Sequence, residues 1–189
     1  MEKNFVGEKI AALLEAKKIG VDELAERSGL SMTQIELLLK SDDIPSLAPL
    51  IKIARGLGVR LGTLLDDNEL HGPAICRATE QHATFSSQMS YANSHLDFFS
   101  MAGNKSGRHF EPFMIEVKPS SNDATKVLSS HEGEEFLYVL SGSIRVDYGK
   151  QVYELSAGDS IYYDSIVNHL VSAANDAPAR ILAIVYTPF

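Results

Sequence analysis

The amino-acid sequence predicts two domains, a small all-α domain followed by an all-β barrel. Apolar residues recur with helical spacing as far as Asp66, whereas beyond Gly72 they fall into short runs separated by Gly, Asn, Asp and Ser. The length of 189 residues suits one large or two small domains. We therefore assign residues 1–66 to the helical domain, residues 67–72 to a polar linker and residues 73–189 to the barrel.

Five short helices are predicted in the first domain. The first begins near Phe5 and ends before Gly20, and the others follow from apolar spacing and from residues that favour helix ends. These others are Val21–Ser28, Ser31–Lys40, a helix from Pro45 to Gly58, and Arg60–Leu65. Ser31 and Gln34 have the spacing of a capping box at the start of the third helix.

The predicted strands of the second domain are apolar runs that recur at intervals of roughly 8–15 residues. The runs are PAICRA, HLDFFSMA, EPFMIEV, EEFLYVL, SIRVDYG, QVYEL, SIYYD, HLVSA and ARILAIVY. A hairpin turn is predicted at 147–150, where Gly149 suits a tight connection between two strands. Short strands with frequent turns indicate an antiparallel sandwich or barrel.

The composition restricts the classes of function. The net charge is −8, with nine acids and nine bases in residues 1–65 but sixteen acids and eight bases beyond them. Such a chain does not attract nucleic acid through its overall field, so a DNA contact requires a local patch. No apolar run approaches the roughly 20 residues of a membrane-spanning helix, and the charged N-terminal stretch does not fit a secretory signal. Cys76 is the only cysteine, which excludes an intrachain disulfide. We expect a cytoplasmic protein with no membrane contact.

The segment VDELAERSGLSMTQIELLLK, residues 21–40, together with residues 44–65, resembles the Xre family of repressor-like helix-turn-helix domains. In that family the second helix braces the third, and the first turn of the third helix enters the major groove. The resemblance implies that Met32, Thr33 and Gln34 lie nearest the base edges, with Gln34 suited to adenine. It also implies that Lys40 contacts the phosphate backbone.

Two features of this segment favour another role. Residues 41–43, Ser-Asp-Asp, stand where many family members have glycine and basic residues, and their carboxylates would repel phosphate. Leu37 lies about 200° around the helix from Ile35, so it faces solvent or the groove and makes no hydrogen bond to a base. The alternative is a helical module that has lost DNA binding and serves as a dimer brace or a lid.

The segments SSHEGEEFLYVLSGSIRV, from Ser129, and LSAGDSIYYDSIVNHLVSAAN, from Leu155, resemble the two motifs of the cupin family. The resemblance implies a jelly-roll barrel, also called a double-stranded β-helix. In the first motif His131, Glu135 and Gly142 keep the family spacing, and Ser129 takes the place of a further histidine. The corresponding positions of the second motif are Gly158, Asp159, Asp164 (where proline is usual), His169 and Asn175.

His131, Glu135 and His169 are the candidate metal ligands. Side chains on a strand return to the same face every second residue, so His131 and Glu135 are expected to point into the barrel together. His169 would meet them from a neighbouring strand. Two imidazoles and one carboxylate leave open positions on a divalent ion, with iron, zinc, nickel and manganese as candidates. The alternative is a polar, hydrogen-bonded pocket without metal.

A small-ligand pocket is predicted beside these residues. Its predicted lining is Ser129, Phe113, Tyr138 and Tyr162, with Tyr163 as a further candidate, although aromatic strand residues also serve simply as core. Asp159 and Asp164 are assigned to turns. The remaining histidines are expected at the surface or in loops: His71, His82, His95 and His109.

The combined layout resembles a class of bacterial regulators in which a cupin barrel senses a metabolite and biases DNA-binding heads. We therefore predict a transcriptional regulator that binds DNA, a small-molecule effector and a divalent metal, and that forms a homodimer through its barrel. The alternative is a mononuclear non-haem iron oxidoreductase, because the layout and the run from Glu135 to Leu140 resemble the hydroxypropylphosphonate epoxidase family. A third interpretation is a non-catalytic binding protein whose vestigial helical domain only mediates assembly.

Overall fold

The computed structural model describes residues 5–40, 47–65, 73–80, 85–86, 95–105, 108–119 and 128–188. Within these ranges five α-helices precede nine β-strands, which confirms the predicted order of the two domains. The predicted linker, residues 67–72, and the predicted opening of the fourth helix at Pro45-Ser46 lie outside the described residues. None of the described helices is long and apolar enough to cross a membrane.

The helices of the first domain are α1 Phe5–Lys17, α2 Val21–Ser28, α3 Met32–Lys40, α4 Leu47–Leu57 and α5 Leu61–Leu65. The chain turns between α2 and α3 at Gly29, whose φ of 68° is left-handed and therefore suits glycine. The Gly29 amide donates to the Ala25 carbonyl at 2.9 Å and ends α2 there. The predicted end of the second helix is thus confirmed.

Helix α4 packs closely against α2 because Gly56 has no side chain. A Cβ atom at Gly56 would lie 2.9 Å from Leu24 Cδ1 and 3.3 Å from the Ser28 backbone nitrogen. Leu24, Ile35 and Ile53 are fully buried around this contact. Helices α4 and α2, the latter of which contacts α3, therefore form a tightly packed unit.

The strands are β1 Phe85–Ser86, β2 Leu96–Ser100, β3 Phe110–Val117, β4 Glu134–Ser141, β5 Ser143–Tyr148, β6 Gln151–Ser156, β7 Ser160–Asp164, β8 His169–Ala173 and β9 Ala179–Tyr186. They form a six-stranded sheet in the order β1-β2-β3-β9-β4-β7 and a three-stranded sheet in the order β6-β5-β8. All of the pairings are antiparallel. The hairpin between β5 and β6 turns at Gly149 and Lys150, with Gly149 at a φ of 59° as the predicted turn requires.

One predicted strand is wrong. Residues 73–77 of the PAICRA run have no strand pairing, and a short 3-10 helix, Ala78–Glu80, follows them. The side chain of Ile75 is 66% exposed, so this apolar run does not bury a strand face. Strand β1, which did not stand out as an apolar run, pairs with β2 instead.

The inner face of the large sheet carries the barrel core. Strand alternation along β3, β4 and β9 buries one side chain in two. The buried apolar members of this face include Phe113, Ile115, Leu137, Val139, Ile181, Ala183 and Val185. Glu111 and Glu135 occupy buried positions of the same face, each directly opposite Val185 of β9.

The helical domain contacts the end of the barrel at which β4 begins. Arg55 of α4 forms an ion pair with Glu132, which lies just before β4. Arg60, which precedes α5, donates to the Arg108 carbonyl at 3.5 Å, just before β3. The two domains therefore meet beside the starts of β3 and β4.

Candidate metal centre and nucleic-acid interface

Glu135 is the charged residue around which the barrel site is arranged. It lies on the inner face of β4, where Leu137 and Val139 follow it with the period of two that a strand imposes. Its cross-strand partner on β7 is Tyr163, which is also buried. Strand geometry alone thus brings a carboxyl and a phenol together inside the barrel.

His131 also points into the barrel, but it does not lie on a strand as predicted. The residue precedes β4, and the chain bends at Gly133 before the strand begins. Gly133 has a φ of 113°, and a Cβ there would lie 2.0 Å from the Tyr186 carbonyl oxygen. The His131 amide donates to the Ser165 carbonyl at 3.0 Å, and the Ser165 amide donates to the Gly133 carbonyl at 2.9 Å. These bonds hold the bend against the turn that connects β7 to β8.

His169 is the first residue of β8 and lies between two backbone partners. Tyr148 of β5 is opposite it on one side. On the other side the Ser129 amide donates to the His169 carbonyl at 2.8 Å, and the His169 amide donates to the Ser129 carbonyl at 2.9 Å. Directly paired residues carry their side chains on the same face, so Ser129 lies beside the His169 imidazole.

The three side chains converge on one point. His131 Nε2 lies 2.9 Å and His169 Nε2 lies 3.4 Å from the same Glu135 oxygen, Oε1. All three residues are buried, and one ligand atom from each lies within 4.8 Å of the others. The two imidazole rings stand edge to face, with centroids 5.6 Å apart.

Backbone carbonyls orient both imidazoles. Nδ1 of His131 faces the Glu132 carbonyl at 3.1 Å, and Nδ1 of His169 faces the Val167 carbonyl at 2.8 Å. An Nδ1–H donated to a carbonyl leaves Nε2 as the atom that binds a metal, the arrangement usual for histidine ligands. Ring orientation and ligand atom are therefore set by the backbone.

Two hydroxyl groups hold the carboxylate. Tyr163 donates to Glu135 Oε2 at 2.8 Å, and Ser165 donates to Oε1 at 3.1 Å. These supporting bonds fix the plane of the carboxylate in the same way that outer partners orient metal-binding carboxylates.

The electrostatics of the cluster favour an ionised carboxylate. Burial raises the pKa of the Glu135 carboxyl, but hydrogen bonds and charge from His131 and His169 outweigh burial and bring it well below its ordinary value. Burial lowers the pKa of His169, but the Glu135 carboxylate and the Val167 carbonyl raise it by more, so the pKa lies above its ordinary value. Burial, reinforced by the Glu135 charge, raises the pKa of Tyr163. The site therefore holds a negative charge that selects a cation or bound protons.

The donor set fits a divalent metal. Two imidazole nitrogens and one carboxylate oxygen can occupy one side of an ion and leave open positions for a ligand. Each donor already has the outer hydrogen bond that orients it. Three protein donors do not complete the four-coordinate closure of a structural zinc site.

The predicted pocket residues divide between the two faces of the large sheet. The pocket assignment of Tyr138 and Tyr162 is wrong, because both lie on the outer face, where Tyr162 is 62% exposed and its hydroxyl donates to Glu134. Phe113 is fully buried in the core, with its ring edge-to-face against Phe98 at 5.7 Å. Tyr163 is the tyrosine that faces the site.

One of the four other histidines is also not where it was expected. His95 is buried, and its Nε2 lies 2.9 Å from the Val171 carbonyl on β8. His109 is exposed as expected. His71 and His82 lie outside the described residues.

Helix α3 presents the predicted DNA-reading side chains to solvent. Met32, Thr33, Gln34 and Lys40 are all exposed. Lys40 lies 3.6 Å from Glu36 on the same helix. Leu37 is exposed as predicted. Residues 41–43 lie outside the described residues.

The predicted capping box is formed, and the side chain of Gln34 takes part in it. Its Oε1 accepts from the Ser31 amide at 2.9 Å and from the Ser31 hydroxyl at 3.1 Å. The Gln34 amide in turn donates to Ser31 Oγ at 3.2 Å. The side chain proposed to contact a base therefore also begins the helix.

A repressor-like helical head joined to an antiparallel barrel with an inward two-histidine, one-glutamate cluster defines a two-domain helix-turn-helix and cupin protein. Residues 9–69 match the Cro/C1-type helix-turn-helix DNA-binding domain, and residues 113–185 match the cupin domain. The chain thus consists of a Cro/C1-type helix-turn-helix domain followed by a cupin domain.

Two similar proteins share both parts of this layout. A crystal structure of an HTH_3 family transcriptional regulator from Vibrio cholerae has a TM-score of 0.69 at 21% identity, covering 98% of this chain and 97% of that one. (S)-2-Hydroxypropylphosphonic acid epoxidase from Streptomyces wedmorensis is 25% identical over 149 residues, 74% of this chain and 73% of that protein. A structure of iron(II) HppE with its substrate has a TM-score of 0.51 at 22% identity, covering 98% of this chain and 100% of that one. At these identities the solved structures show a shared fold.

Replacing Tyr163 by phenylalanine tests whether its hydroxyl orients a metal-binding carboxylate. We expect Tyr163→Phe to weaken iron(II) binding by about 10–100-fold, the usual effect of losing an outer partner of a ligand. The measurement is an anaerobic titration against a competing chelator. Tyr162→Phe is the matched control, since it removes a hydroxyl–glutamate bond from the outer face. Equal iron affinities for the two variants would contradict this role for Tyr163.

Proposed function

We propose that this protein is a cytoplasmic transcriptional regulator whose cupin domain senses a small molecule through a bound divalent metal. The observation that supports the proposal is the presence, in one chain, of a Cro/C1-type DNA-binding domain and a buried cluster of His131, Glu135 and His169. The cluster would allow the barrel to select a ligand, and the helical domain would convert ligand binding into a change in DNA binding.

The proposed metal is iron(II), zinc, nickel or manganese, held by the two histidine Nε2 atoms and the Glu135 carboxylate. Bound there, a metal supplies open coordination positions for an effector with oxygen or nitrogen donors. Ser129 pairs with His169 across an antiparallel bridge, so its hydroxyl is a candidate for contact with such an effector. Tyr163 and Ser165 hold the carboxylate through hydrogen bonds to its two oxygens.

Removing either imidazole is expected to abolish metal binding. His131→Ala and His169→Ala each leave two protein donors, so iron(II), zinc, nickel and manganese should all be lost from the purified protein, while circular dichroism shows a folded chain. His109→Ala is the control, because it removes an exposed histidine outside the cluster. Metal analysis that finds the same content in both site variants as in the control would refute the assignment of these ligands.

The proposed DNA contact is made by α3. Met32, Thr33 and Gln34 lie in its first exposed turn, where a repressor-like domain meets base edges, and Lys40 lies at its far end. The apolar part of Met32 and the methyl of Thr33 suit a thymine methyl, and the Gln34 amide suits a purine. Because the chain as a whole is acidic, contacts with the phosphates of DNA must come from this local surface.

Sequence-specific DNA binding is the direct test of the proposed function. We expect Gln34→Ala to weaken binding to a site selected from random DNA by about 1–3 kcal/mol, the usual cost of a lost base contact. Binding should also fall steeply with salt as phosphate contacts are screened. The measurement is a titration followed by fluorescence anisotropy at fixed salt.

The capping role of Gln34 requires its own control. Ser31→Ala breaks the same capping box, at a cost of about 1 kcal/mol in helix stability, but keeps the Gln34 amide. If Ser31→Ala weakens DNA binding as much as Gln34→Ala, the glutamine acts through the helix end and not through a base. If the wild-type protein selects no DNA, the helical domain serves assembly only.

A homodimer through the barrel is part of the proposal. The outer face of the large sheet carries two adjacent cross-strand rows of apolar or aromatic side chains: Phe99, Met114, Leu182 and Tyr138 in one, and Pro112, Ile184, Phe136 and Tyr162 in the other. A contiguous apolar face of this kind is typical of protein interfaces. Pairing two copies would present two α3 helices to half-sites about one turn of DNA apart. Light scattering that gives the mass of a single chain would exclude this dimer.

The second candidate function is a mononuclear iron oxidoreductase. The similarity to the epoxidase from Streptomyces wedmorensis favours it, because that similarity covers 74% of this chain and 73% of that protein. In this case the buried cluster would hold iron, and the chain's own residues would bind and orient a small anionic substrate. Oxygen uptake by the iron(II)-loaded protein with a hydroxyalkylphosphonate separates the two candidates, since a regulator consumes no oxygen beyond the rate of a His169→Ala control.

A further inference from the structure

The helical domain contacts the barrel at residues that adjoin the metal cluster. Glu132 follows the candidate ligand His131 directly, and its side chain pairs with Arg55 of α4. Arg108, whose carbonyl accepts from Arg60, forms a buried ion pair with Glu111 at 2.5 Å. Glu111 in turn lies in the same cross-strand row as Glu135, with Val185 between them.

Glu132 contacts both the candidate ligand His131 and the helical domain. Its backbone carbonyl faces Nδ1 of His131 at 3.1 Å, and its carboxylate binds the Arg55 guanidinium. A shift in the position of the His131 imidazole would therefore move the Glu132 carbonyl, and with it the backbone from which the Glu132 side chain extends. Gly133, with a φ of 113°, follows this peptide and leads the chain into β4.

Arg55 is equally well placed on the helical side. The next residue, Gly56, lies at the close contact between α4 and α2, where an added Cβ would meet Leu24 and Ser28. Helix α2 braces α3, the helix with the proposed DNA-reading residues. A cleft between α4 and the barrel adjoins this ion pair and is lined by residues that include Ile51, Val59 and Pro188. A direct polar bond therefore links the domains beside an incompletely packed boundary.

We propose that the Arg55–Glu132 ion pair transmits occupancy of the metal cluster to the DNA-binding domain. The inference rests on the proposed function and specifies how the same site is regulated. When a metal binds Nε2 of His131, the bond from Nδ1 to the Glu132 carbonyl strengthens and fixes that peptide. The Glu132 carboxylate then holds Arg55, and through α4 and α2 it restricts α3.

The strength of the ion pair limits the size of the effect. Arg55 and Glu132 side chains are 42% and 48% exposed, and such half-exposed pairs change an equilibrium by about fivefold at most. Coupling between two sites is reciprocal. If metal binding strengthens DNA binding by some factor, then DNA binding must strengthen metal binding by the same factor. Glu132 and Arg55 are thus positioning residues, and neither contacts the metal itself.

Hydrogen exchange in the presence of metal tests the proposal without requiring a known DNA site. The full-length protein is titrated with iron(II) under anaerobic conditions, and amide exchange is followed in α2, α3 and α4. We expect iron to slow exchange in these helices by about two- to fivefold in the wild type. Glu132→Gln and Arg55→Gln should bind iron no more than about fivefold more weakly than the wild type, the reciprocal effect of losing the ion pair, and should lose the slowing in the helices.

Two further variants separate coupling from simple loss of charge. Glu23→Gln removes a matched ion pair, Glu23–Arg27, whose side chains are 45% and 48% exposed but which lies within α2 away from the barrel. It should respond to iron as the wild type does. Exchanging the charges, with Arg55→Glu and Glu132→Arg together, should restore at least part of the response.

The outcomes distinguish this inference from the proposed function. If the wild type binds none of iron(II), zinc, nickel and manganese, the metal assignment fails and the coupling fails with it. If the wild type binds iron and the helices do not respond, or if Glu132→Gln and Arg55→Gln keep the full response, the coupling is wrong and the metal assignment stands. Loss of the response in both single variants, with iron affinity reduced by no more than about fivefold, supports the coupling.

Discussion

The barrel site depends on one buried carboxylate. An ionised glutamate inside an apolar barrel costs several kcal/mol unless hydrogen bonds and opposite charge compensate for the lost water. Glu135 receives that compensation from four side chains, with His131, His169 and Ser165 around Oε1 and Tyr163 on Oε2. These partners come from the segment before β4, from β7, from the start of β8 and from the turn between β7 and β8. The end of the barrel is therefore organised around a single charge.

This arrangement is difficult to explain by stability alone. Buried ion pairs are often no more stabilising than apolar residues of the same size, and the rest of the inner face, such as Leu137 and Val139 on the same strand, is apolar. A cluster that retains a negative charge and aims two imidazole nitrogens at it is suited to binding a cation. Backbone carbonyls on both Nδ1 atoms complete the arrangement, since they leave the Nε2 atoms for that cation.

The sequence predicted which residues form the cluster but not all of the reasons that they meet. Motif spacing identified His131, Glu135 and His169, whereas the period of a strand explains only Glu135. His131 is carried inward by the bend at Gly133, and a positive φ with a close backbone approach leaves little trace in a single sequence. The same period of two could have corrected the pocket assignment, because Tyr138 is an odd number of residues from Glu135 and must face the other way.

For β7, sequence alone was insufficient, because Tyr162 and Tyr163 are adjacent and only the register with β4 shows which of them faces inward. The helical domain was easier to predict, since its signals are local. Gly29 ends α2, and the Ser31–Gln34 capping box begins α3 as expected.

That capping box also limits what α3 can read in DNA. Both hydrogen bonds accepted by Gln34 Oε1 come from Ser31, so while the cap is intact the side-chain oxygen is fully used. The amide NH₂ group remains, and it can donate to purine N7 but cannot also accept from adenine N6. A capped Gln34 would therefore favour purines without choosing adenine, and finer selection would fall to apolar contacts of Met32 and Thr33 with thymine methyls. An adenine-specific contact requires the helix end to give up its cap, at a cost of about 1 kcal/mol.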